Sequence, residues 1–512
     1  MELKRSVAIS VFFFFFFVYL FTASGRIDVT PGSTRYQVAK SLIDHGDVDI
    51  TKPDGYWYVA IREGADGRYY AATGIGQSLL MVPLVFVAGY AGATVLNQIL
   101  SGLVCVVIFL FCLNLGYSRR TSIFVTFLYA LGTIAWPYSK TTFHHAQEIL
   151  FVLLAVYLMY QSIKKSSYCW LALSSFSLGM AILTRPTPIL ALIPLAYLLF
   201  INRFETKKYL LLLKDSAVYF AVLAPFISFN LWYNFYRFGS IWGWISTGGE
   251  VQKTVERVGG LFSTPVFTGL YGQLLSPGKS FFLYSPIAIL FFFCLKSFYR
   301  REKQMAHTFI IFIVTYLLFY SCYYDWSGDW AWGPRFIVFL TPFFIIPLGE
   351  FFEDEGLKKS RLAKSAIIFL FILGIIVQLS SVTINNMKYF LKIRPDPLIT
   401  IKSEAHKYYS NPRNSPLLVQ FQQLYEVVSK MKDYTFAPVP EELEKKALED
   451  FSDKKALSEF LKADLSFNVL DFWYVYWIYF GVPKKVVAIV LAPLICLIAF
   501  SGLKLYKFSR MS

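Results

Sequence analysis

Residues 25–76 read GRIDVTPGSTRYQVAKSLIDHGDVDITKPDGYWYVAIREGADGRYYAATGIG, and the rest of the chain is organised around this stretch. It is a long loop, rich in carboxylates, that directly follows the apolar run Ser6–Phe21. The chain beyond it consists mostly of apolar segments separated by short basic ones. We therefore interpret the apolar segments as a scaffold that holds this loop over a cavity in a membrane.

The composition is that of a helical membrane protein. Hydrophobic residues make up 56% of the 512 residues and charged residues only 16%, whereas soluble domains carry about 25% charged residues. Apolar runs of about 18 residues or more recur along most of the chain, as transmembrane helices require. The net charge of +16 lies mainly between these runs. This placement indicates membrane orientation rather than nucleic-acid binding.

The apolar runs predict twelve transmembrane helices, the first of them an uncleaved N-terminal helix. When the chain is threaded from a cytoplasmic N-terminus, nearly all short basic loops fall on one side of the membrane, as the positive-inside rule requires. Both termini are thus expected to be cytoplasmic, in a multi-pass protein of a bacterial inner (plasma) membrane. Residues 76–91 are apolar but rich in Gly and Pro, so they are expected to form a re-entrant or interfacial piece.

Three units are expected along the chain. Residues 1–384 form a transmembrane catalytic module with large outer loops at 25–76 and 237–279. Residues 385–485 form an extracytoplasmic polar segment, in which Glu441–Leu461 has helical spacing and mixed charge. Residues 486–512 provide the last transmembrane helix and a cytoplasmic tail. The aromatic run at 470–480, LDFWYVYWIYF, is typical of a membrane interface.

Three residues of the first loop are candidates for the site. Asp28 lies about one turn beyond the first helix, where a carboxylate beside a dry cavity can act as a general base; a turn carboxylate is the alternative. Arg35 lies in a segment with helical apolar spacing, which predicts an amphipathic helix along the membrane, with simple anchoring as the alternative for Arg35. Asp66 opens the sequence Asp-Gly-Arg, which reads first as a turn and second as a contact to sugar or lipid.

A pair of histidines, His144 and His145, stands just before a predicted helix that carries Glu148. Two histidines near a glutamate can bind a metal or a phosphate. Because adjacent residues do not share a helix face, we expect one of the histidines to contact a phosphate, and we assign no metal ligand.

Three further cations, Arg185, Lys279 and Arg335, are predicted at helix ends on the outer face. Arginine suits phosphate because its planar fork makes two parallel hydrogen bonds, and a cation at membrane depth tends to face a cavity. Snorkelling to the interface is the alternative for each. Asp325 and Asp329 are expected either to pair with Arg335 or to hold a divalent cation.

These pieces resemble the GT-C polyprenyl-phosphate-sugar-dependent glycosyltransferases, that is, glycosyltransferase family 39, the protein mannosyltransferases and the lipid A aminoarabinose transferases. The resemblance rests on six segments within residues 1–350: DVTPGSTRYQVAKSLIDHGD, DGRYYAATGIGQSLLMVPL, FHHAQEILFVLLA, TRPTPIL, GLYGQLLSPGKSFFLYSP and WSGDWAWGPRFIVFLTPF. It implies an all-α polytopic GT-C-like fold of about twelve transmembrane helices, with a large first outer loop and a small C-terminal outer helical segment.

The same resemblance implies an inverting transfer of a sugar from a polyprenyl-phosphate carrier to a glycan, lipid or protein on the outer (periplasmic) face. Asp28 would be the base, and Arg185, Lys279 and Arg335 would bind the leaving phosphate. Many relatives carry a paired Asp-Glu where this chain has Pro31-Gly32-Ser33, so Asp66 and Asp47 stand as alternative bases. No cofactor is assigned; a divalent cation is the one candidate.

Two other functions fit a polytopic membrane protein: a transporter or flippase of lipid-linked sugars, and a non-catalytic scaffold. Common transporters have two related halves with broken helices at the membrane midplane. No such repeat is visible in the sequence, and its polar residues gather on one predicted face. The sequence therefore favours the glycosyltransferase.

Overall fold

The computed structural model describes residues 2–51, 60–207, 209–243, 260–328, 331–386, 388–389, 405–430 and 468–510, and these are predominantly helical. The N-terminal half contains α1 Glu2–Phe21, α2 Thr30–Asp44, β1 Ile61–Glu63, β2 Tyr69–Ala71, α3 Gly76–Asn114, α4 Arg119–Gly132, α5 Ala135–Lys140, α6 His145–Lys165, α7 Tyr168–Thr184, a 3₁₀ turn Thr187–Ala191, α8 Leu192–Glu205 and α9 Tyr209–Phe238.

The second half is built from shorter pieces between long helices. Its helices are α10 Val266–Leu274, α11 Phe281–Tyr284, α12 Phe291–Arg301, α13 Lys303–Cys322, α14 Thr341–Ile345, α15 Glu350–Glu353, α16 Glu355–Lys359, α17 Arg361–Thr383, α18 Ala405–Tyr409, α19 Pro416–Ser429, α20 Trp473–Tyr479 and α21 Lys484–Arg510. The 3₁₀ turns of this half are Pro286–Leu290, Arg335–Leu340, Ile346–Gly349 and Pro412–Asn414. The predicted cap helix Glu441–Leu461 lies outside the described residues.

The protein is an integral, multi-pass membrane protein. Within the described residues, nine helical stretches are long and apolar enough to cross a membrane. Large apolar side chains also cover the outside of the molecule: Val87 is 84% exposed and Leu210 is 77% exposed, as expected for a surface in contact with lipid. Among the apolar runs counted toward the twelve spans, those at 121–137 and 280–297 form shorter or interrupted helices, and that at 169–184 lies in the 17-residue α7. The count of twelve stays a prediction.

Residues 76–91 correct one expectation of the sequence analysis. They are helical and form the first part of α3, which continues to Asn114 across a kink at Gly89. The kink arises because Gly89 has φ 54°, a conformation that a residue without a side chain adopts readily. The Gly and Pro content of this segment therefore bends a long helix, and it does not separate a non-helical piece from it.

The N-terminal helix ties the two chain ends together. Helix α1 contacts both α3 and the C-terminal helix α21. Beyond its last turn, the backbone carbonyl of Ala23 accepts a hydrogen bond from the N–H of Trp473, and the indole of Trp473 donates to the carbonyl of Leu20. These bonds hold the aromatic helix α20 against the C-terminal end of α1, where the first loop begins.

The first loop folds into α2 and a small hairpin. Strands β1 and β2 pair antiparallel, with Arg62 opposite Tyr70. The connecting turn contains Asp66, whose carboxylate accepts hydrogen bonds from the N–H and side chain of Arg68. The predicted turn is therefore confirmed. The apolar face of α2 packs on this hairpin through Val38, so helix and hairpin form one unit.

Candidate active site

The site is organised by the short run Thr141–His144 between α5 and α6. Because this run is not helical, its backbone carbonyls need partners from elsewhere. The side chain of Asn97 on α3 supplies them: its Nδ2 donates to the carbonyls of Thr141 and Phe143, at 2.5 and 2.6 Å. Gln77 also donates to the Phe143 carbonyl, at 3.3 Å. Buried amides of α3 thus fix the run in place.

Asp28 contacts the middle of this run. Its Oδ1 accepts hydrogen bonds from the backbone N–H of Thr142 at 2.8 Å and from the Thr142 hydroxyl at 2.7 Å. The loop can approach this closely because residue 32 is glycine: a Cβ there would lie 2.2 Å from the Thr142 hydroxyl oxygen. With Oδ1 held twice, the second carboxylate oxygen, Oδ2, is the one that remains for a ligand.

Three arginines gather around the other end of the run. The Arg35 guanidinium is 2% exposed and donates to His144 Nδ1 at 3.2 Å. The guanidinium carbons of Arg185 and Arg335 each lie 4.7 Å from the centre of the Phe336 ring. Arg185 is brought there by α7, whose last residues pack tightly on the start of α3. The structure therefore brings Arg35 together with Arg185 and Arg335, and the sequence predicted the last two as phosphate contacts.

These arginines retain hydrogen-bonding capacity. Nε and Nη1 of Arg35 and Nε of Arg335 are buried without a hydrogen-bond partner. The charges also act on one another: burial, followed by the charges of Arg185 and Arg335, lowers the pKa of Arg35 to about 9. Buried donors without partners are costly, and clustered cations repel. A bound anion would relieve both penalties, so the geometry suits a phosphate.

His144 completes the same cluster as a neutral hydrogen-bond donor. Burial, followed by the charges of His145 and Arg35, lowers the pKa of His144 well below its ordinary value. Because arginine can only donate, His144 Nδ1 must accept from Arg35. The imidazole proton therefore resides on Nε2, which is buried without a partner. This N–H can contact an anion, as the sequence analysis predicted for one histidine of the pair.

The two histidines also lie close to Glu148. One ligand atom from each of His144, His145 and Glu148 can be chosen so that all three lie within 4.8 Å of one another. The argument that adjacent histidines cannot converge is thus wrong here, because His144 precedes the helix that His145 begins. A metal on His144 would require a deprotonated Nε2, which conflicts with the bond from Arg35. The proton on Nε2 therefore leaves His144 as a donor, with the Glu148 carboxylate 3.7 Å away, and a cation at these three residues stays a prediction.

Lys279 occupies a different position from the arginines. It is fully buried, and its Nζ donates to the carbonyls of Ala331 at 2.8 Å and Gly333 at 3.3 Å. Lys279 therefore supports the loop that leads into Arg335, and its role in phosphate binding stays a prediction. Asp325 lies 3.9 Å from Arg335, in line with the predicted pairing. Asp329 lies outside the described residues.

The two alternative bases are held in the hairpin. Asp66 accepts from Arg68 and from the Tyr70 hydroxyl at 2.7 Å. Hydrogen bonding by Tyr70, together with that by Arg68, lowers the pKa of Asp66 to about 2. Asp47 likewise pairs with Arg68 and accepts from the Tyr236 hydroxyl. Both carboxylates are thus paired with the cation Arg68, whereas Asp28 is held by the uncharged groups of Thr142.

A cavity that is partly open to solvent lies beside Asp28. Its walls combine residues from the whole length of the chain: Arg26, Asp28, Val29, Pro137, Tyr138, Lys140, Thr141, Phe143, Ala331, Trp332, Ser381, Asn385, Asn386 and Asp471. The last three come from the segment that the sequence assigned to a separate outer unit at 385–485. At least this part of the segment belongs with the site.

Sequence reasoning missed the buried ion cluster in this wall. Asp471 lies 3.1 Å from Arg26 and 3.0 Å from Lys140. Burial alone would raise the pKa of Asp471, but Arg26 and Lys140 lower it to about 2. The available signal was the presence of Lys140 and Asp471 within aromatic, apolar stretches, since buried charges are usually paired. Their pairing across 331 positions could not be read from the sequence.

The comparison with protein families concerns the middle of this site. Residues 84–229 match the family model described as dolichyl-phosphate-mannose-protein mannosyltransferase. The predicted resemblance to GT-C glycosyltransferases is confirmed for this segment. It contains His144, His145 and Arg185, whereas Asp28, Arg35 and Arg335 lie outside it. The match indicates an enzyme of the glycosyltransferase type. No curated protein sequence matches the chain significantly.

Two solved structures illustrate the likeness in fold. ArnT from Cupriavidus metallidurans, in the apo state, is 14% identical with a TM-score of 0.47, and the match covers 86% of this chain and 80% of that one. The archaeal oligosaccharyltransferase AglB from Archaeoglobus fulgidus, in complex with an inhibitory peptide and a dolichol-phosphate, is 12% identical with a TM-score of 0.46. That match covers 86% of this chain but only 59% of AglB.

Proposed function

We propose that the protein transfers a sugar from a polyprenyl-phosphate carrier to an acceptor hydroxyl. The proposal rests mainly on how close the carboxylate of Asp28 and the arginine cluster lie along the run Thr141–His144. Asp28 contacts Thr142, and the arginine cluster contacts His144. Two residues of extended chain span at most about 7 Å, which is the scale of a single sugar ring. This closeness along the chain supports a base and a phosphate site that act on one sugar.

The arginine cluster supports the leaving-group half of the reaction. A phosphate placed there accepts from the unpartnered nitrogens of Arg35 and Arg335 and from the N–H of His144. As the bond between the anomeric carbon and the phosphate oxygen breaks, its electron pair remains on the phosphate. Fixed cations in a site of low polarity stabilise charge that grows in this way.

Asp28 supports the acceptor half. Thr142 holds Oδ1, so Oδ2 takes the proton of the acceptor hydroxyl while the hydroxyl oxygen bonds to the anomeric carbon. Attack opposite the leaving phosphate inverts the anomeric configuration. Because the phosphate site and the base lie at different residues of the run, attack and departure take place from different directions. The other carboxylates of the first loop considered as bases, Asp47 and Asp66, are occupied by Arg68.

We infer the cellular setting from the sequence. The distribution of basic loops supports a position of the first loop, and with it Asp28, on the outer face of the membrane. A glycan, a lipid or a protein can supply the hydroxyl there. The donor arrives on its lipid, so the reaction requires no nucleotide-sugar site.

The test is transfer in proteoliposomes that contain the purified full chain, a radiolabelled polyprenyl-phosphate sugar and membrane acceptors. Wild type is compared with Asp28→Asn and Arg335→Ala. We expect wild type to form a new glycosidic bond, Asp28→Asn to bind donor without transfer, and Arg335→Ala to bind donor weakly.

Other outcomes would each contradict a stated part of the proposal. Full activity of Asp28→Asn with loss in Arg335→Ala would move the base elsewhere. Movement of labelled lipid across the bilayer without a new glycosidic bond would make the protein a transporter of lipid-linked sugars. Donor binding that is equal in wild type and Arg335→Ala would remove the phosphate site.

A further inference from the structure

We propose that the cavity beside Asp28 is the acceptor subsite. We further propose that it selects an acceptor that has no charged group next to the reacting hydroxyl. This inference rests on the proposed function, since it assigns Asp28 as the base. It concerns the class of acceptor, and it derives from the way the cavity's own charges are paired.

The two cations in the cavity wall share one counterion within the chain. An ammonium group has three donors, and those of Lys140 have three acceptors: the carbonyls of Val382 and Asp471 and the carboxylate of Asp471. Nε and Nη2 of Arg26 both lie 3.1 Å from Asp471 Oδ1. Each cation is therefore already paired with Asp471, whereas Arg35 and Arg335 in the neighbouring cluster have buried nitrogens without partners.

The formal charges of the cavity also cancel. Arg26 and Lys140 contribute two positive charges, and Asp28 and Asp471 contribute two negative charges, all on residues of the cavity wall. A phosphate or carboxylate entering here would lose its water and meet Asp28 without a cation free to compensate. Burying an unpaired charge is strongly unfavourable. The cavity therefore disfavours acidic groups next to the reacting hydroxyl.

The remaining polar groups suit a neutral, hydroxyl-bearing ligand. The hydroxyl of Thr141 and the indole N–H of Trp332 are buried without hydrogen-bond partners, and both residues line the cavity. Together with Oδ2 of Asp28, they offer one donor, one acceptor and one group that can do either. Tyr138 and Phe143 add aromatic surface. This combination is typical of sites for sugars and for neutral polar side chains.

The test uses two matched pairs of acceptor probes that differ only in charge. One pair is methyl glucoside and methyl glucuronoside; the other is the blocked tripeptide Gly-Ser-Gly and the blocked tripeptide Asp-Ser-Asp. Each probe competes with transfer from the labelled polyprenyl-phosphate sugar to the acceptors of native membranes that contain the full chain. The variants are Asp471→Asn, which leaves one positive charge uncompensated, and Asp471→Asn with Lys140→Met, which restores neutrality.

In wild type, we expect the neutral member of at least one pair to compete at least about tenfold better than its acidic partner, because like charges in a buried site repel. Asp471→Asn should shrink this preference, and the double variant should recover it. Recovery of the preference would show a charge effect. A folding defect would be at least as severe in the double variant, because it carries one more substitution.

An acidic probe that competes as well as its neutral partner in wild type would overturn the inference. Failure of every neutral probe to compete would overturn it too, as would an Asp471→Asn variant with unchanged preference and normal donor binding. The proposed function fails separately: in that case wild type never releases labelled sugar from the lipid, whichever probe is present.

Discussion

The arginine cluster and the Arg26–Lys140–Asp471 ion cluster both contain buried cations. They differ in whether the hydrogen-bond donors of those cations have partners within the chain. In the ion cluster, Asp471 lies 3.1 Å from Arg26 and 3.0 Å from Lys140. In the arginine cluster, Arg35 and Arg335 have buried nitrogens without partners. In the ion cluster, Asp471 contacts both cations at hydrogen-bonding distance, whereas in the arginine cluster Asp325 lies 3.9 Å from Arg335 and leaves these nitrogens without hydrogen-bond partners.

This difference indicates that the ion cluster stabilises the fold and that the arginine cluster is suited to bind a ligand. A buried charge with a partner stabilises a particular arrangement of chain segments, and removing one partner is costly. A buried cation with unused donors is poised for an anion from outside the chain. The two clusters are joined by a run of only four residues, 141–144, and we propose that the neutral cavity and the cationic site act on one bound substrate.

The largest effect is expected for the carboxylate at the junction of the two regions. Asp28→Asn should lower the rate of transfer by about 10²- to 10⁴-fold, the usual contribution of a general base, with donor binding unchanged. Asp66→Asn is the matched control and should retain transfer within about twofold, because exposed ion pairs contribute little. Steady-state rates on labelled donor measure both. A dead Asp66→Asn enzyme beside an active Asp28→Asn enzyme would reverse the assignment.

Acid should weaken the ion cluster. The pKa of Asp471 is lowered to about 2, below the ordinary value of about 4. Its stabilisation is therefore complete above pH 4 and is lost as the pH falls through 2, and it amounts to about 2 kcal/mol.

Thermal unfolding of the detergent-solubilised protein between pH 5 and pH 2 measures this contribution. Asp471→Asn should be less stable at pH 5 and should lose less stability on acidification than wild type. Parallel curves for the two proteins would show that the carboxylate of Asp471 is not held by Arg26 and Lys140.

A smaller effect is expected at the residue that holds Asp28. Thr142→Val removes the hydroxyl that bonds Oδ1 and should lower kcat about tenfold through misplacement of the base, with the KM for donor unchanged. Thr142→Ser keeps the hydroxyl and should behave as wild type. Equal kcat values for the valine and serine variants would mean that the backbone N–H of Thr142 is sufficient to place Asp28.

The smallest effect is expected from metal removal. Treatment with a chelator should leave transfer within about twofold, because Arg35 donates to His144 and so keeps a proton on the nitrogen that a metal would need. Loss of activity that zinc or manganese restores would show that His144, His145 and Glu148 bind a cation in preference to an anion.

The sequence predicted the parts of this molecule that depend on local pattern. Apolar runs predicted most of the long helices, and helical spacing predicted α2. Arginine at membrane depth tends to face a cavity, and Arg185 and Arg335 do lie together beside Phe336; the anion site itself stays a prediction. The sequence also predicted the turn at Asp66, because Asp-Gly sequences favour turns.

Properties that depend on distant contacts could not be predicted. The pairing of Asp471 with Lys140 joins positions 331 residues apart, and neither local sequence indicates which residue will be its partner. The convergence of His144 and His145 depends on where α6 begins, and a shift of one residue would change it. The helicity of 76–91 was hidden because its Gly and Pro are accommodated by a kink.

The most direct test of the account is the affinity of the purified protein for polyprenyl phosphate, the carrier without its sugar, measured for two variants that each remove one positive charge. Arg335→Gln should weaken binding by at least about tenfold, because a charged hydrogen bond contributes about 1.5–3 kcal/mol. Lys140→Met should bind within about twofold of wild type, because the donors of Lys140 are already engaged by Val382 and Asp471. Equal losses in both variants, or a larger loss in Lys140→Met, would contradict the division between a binding cluster and a structural one.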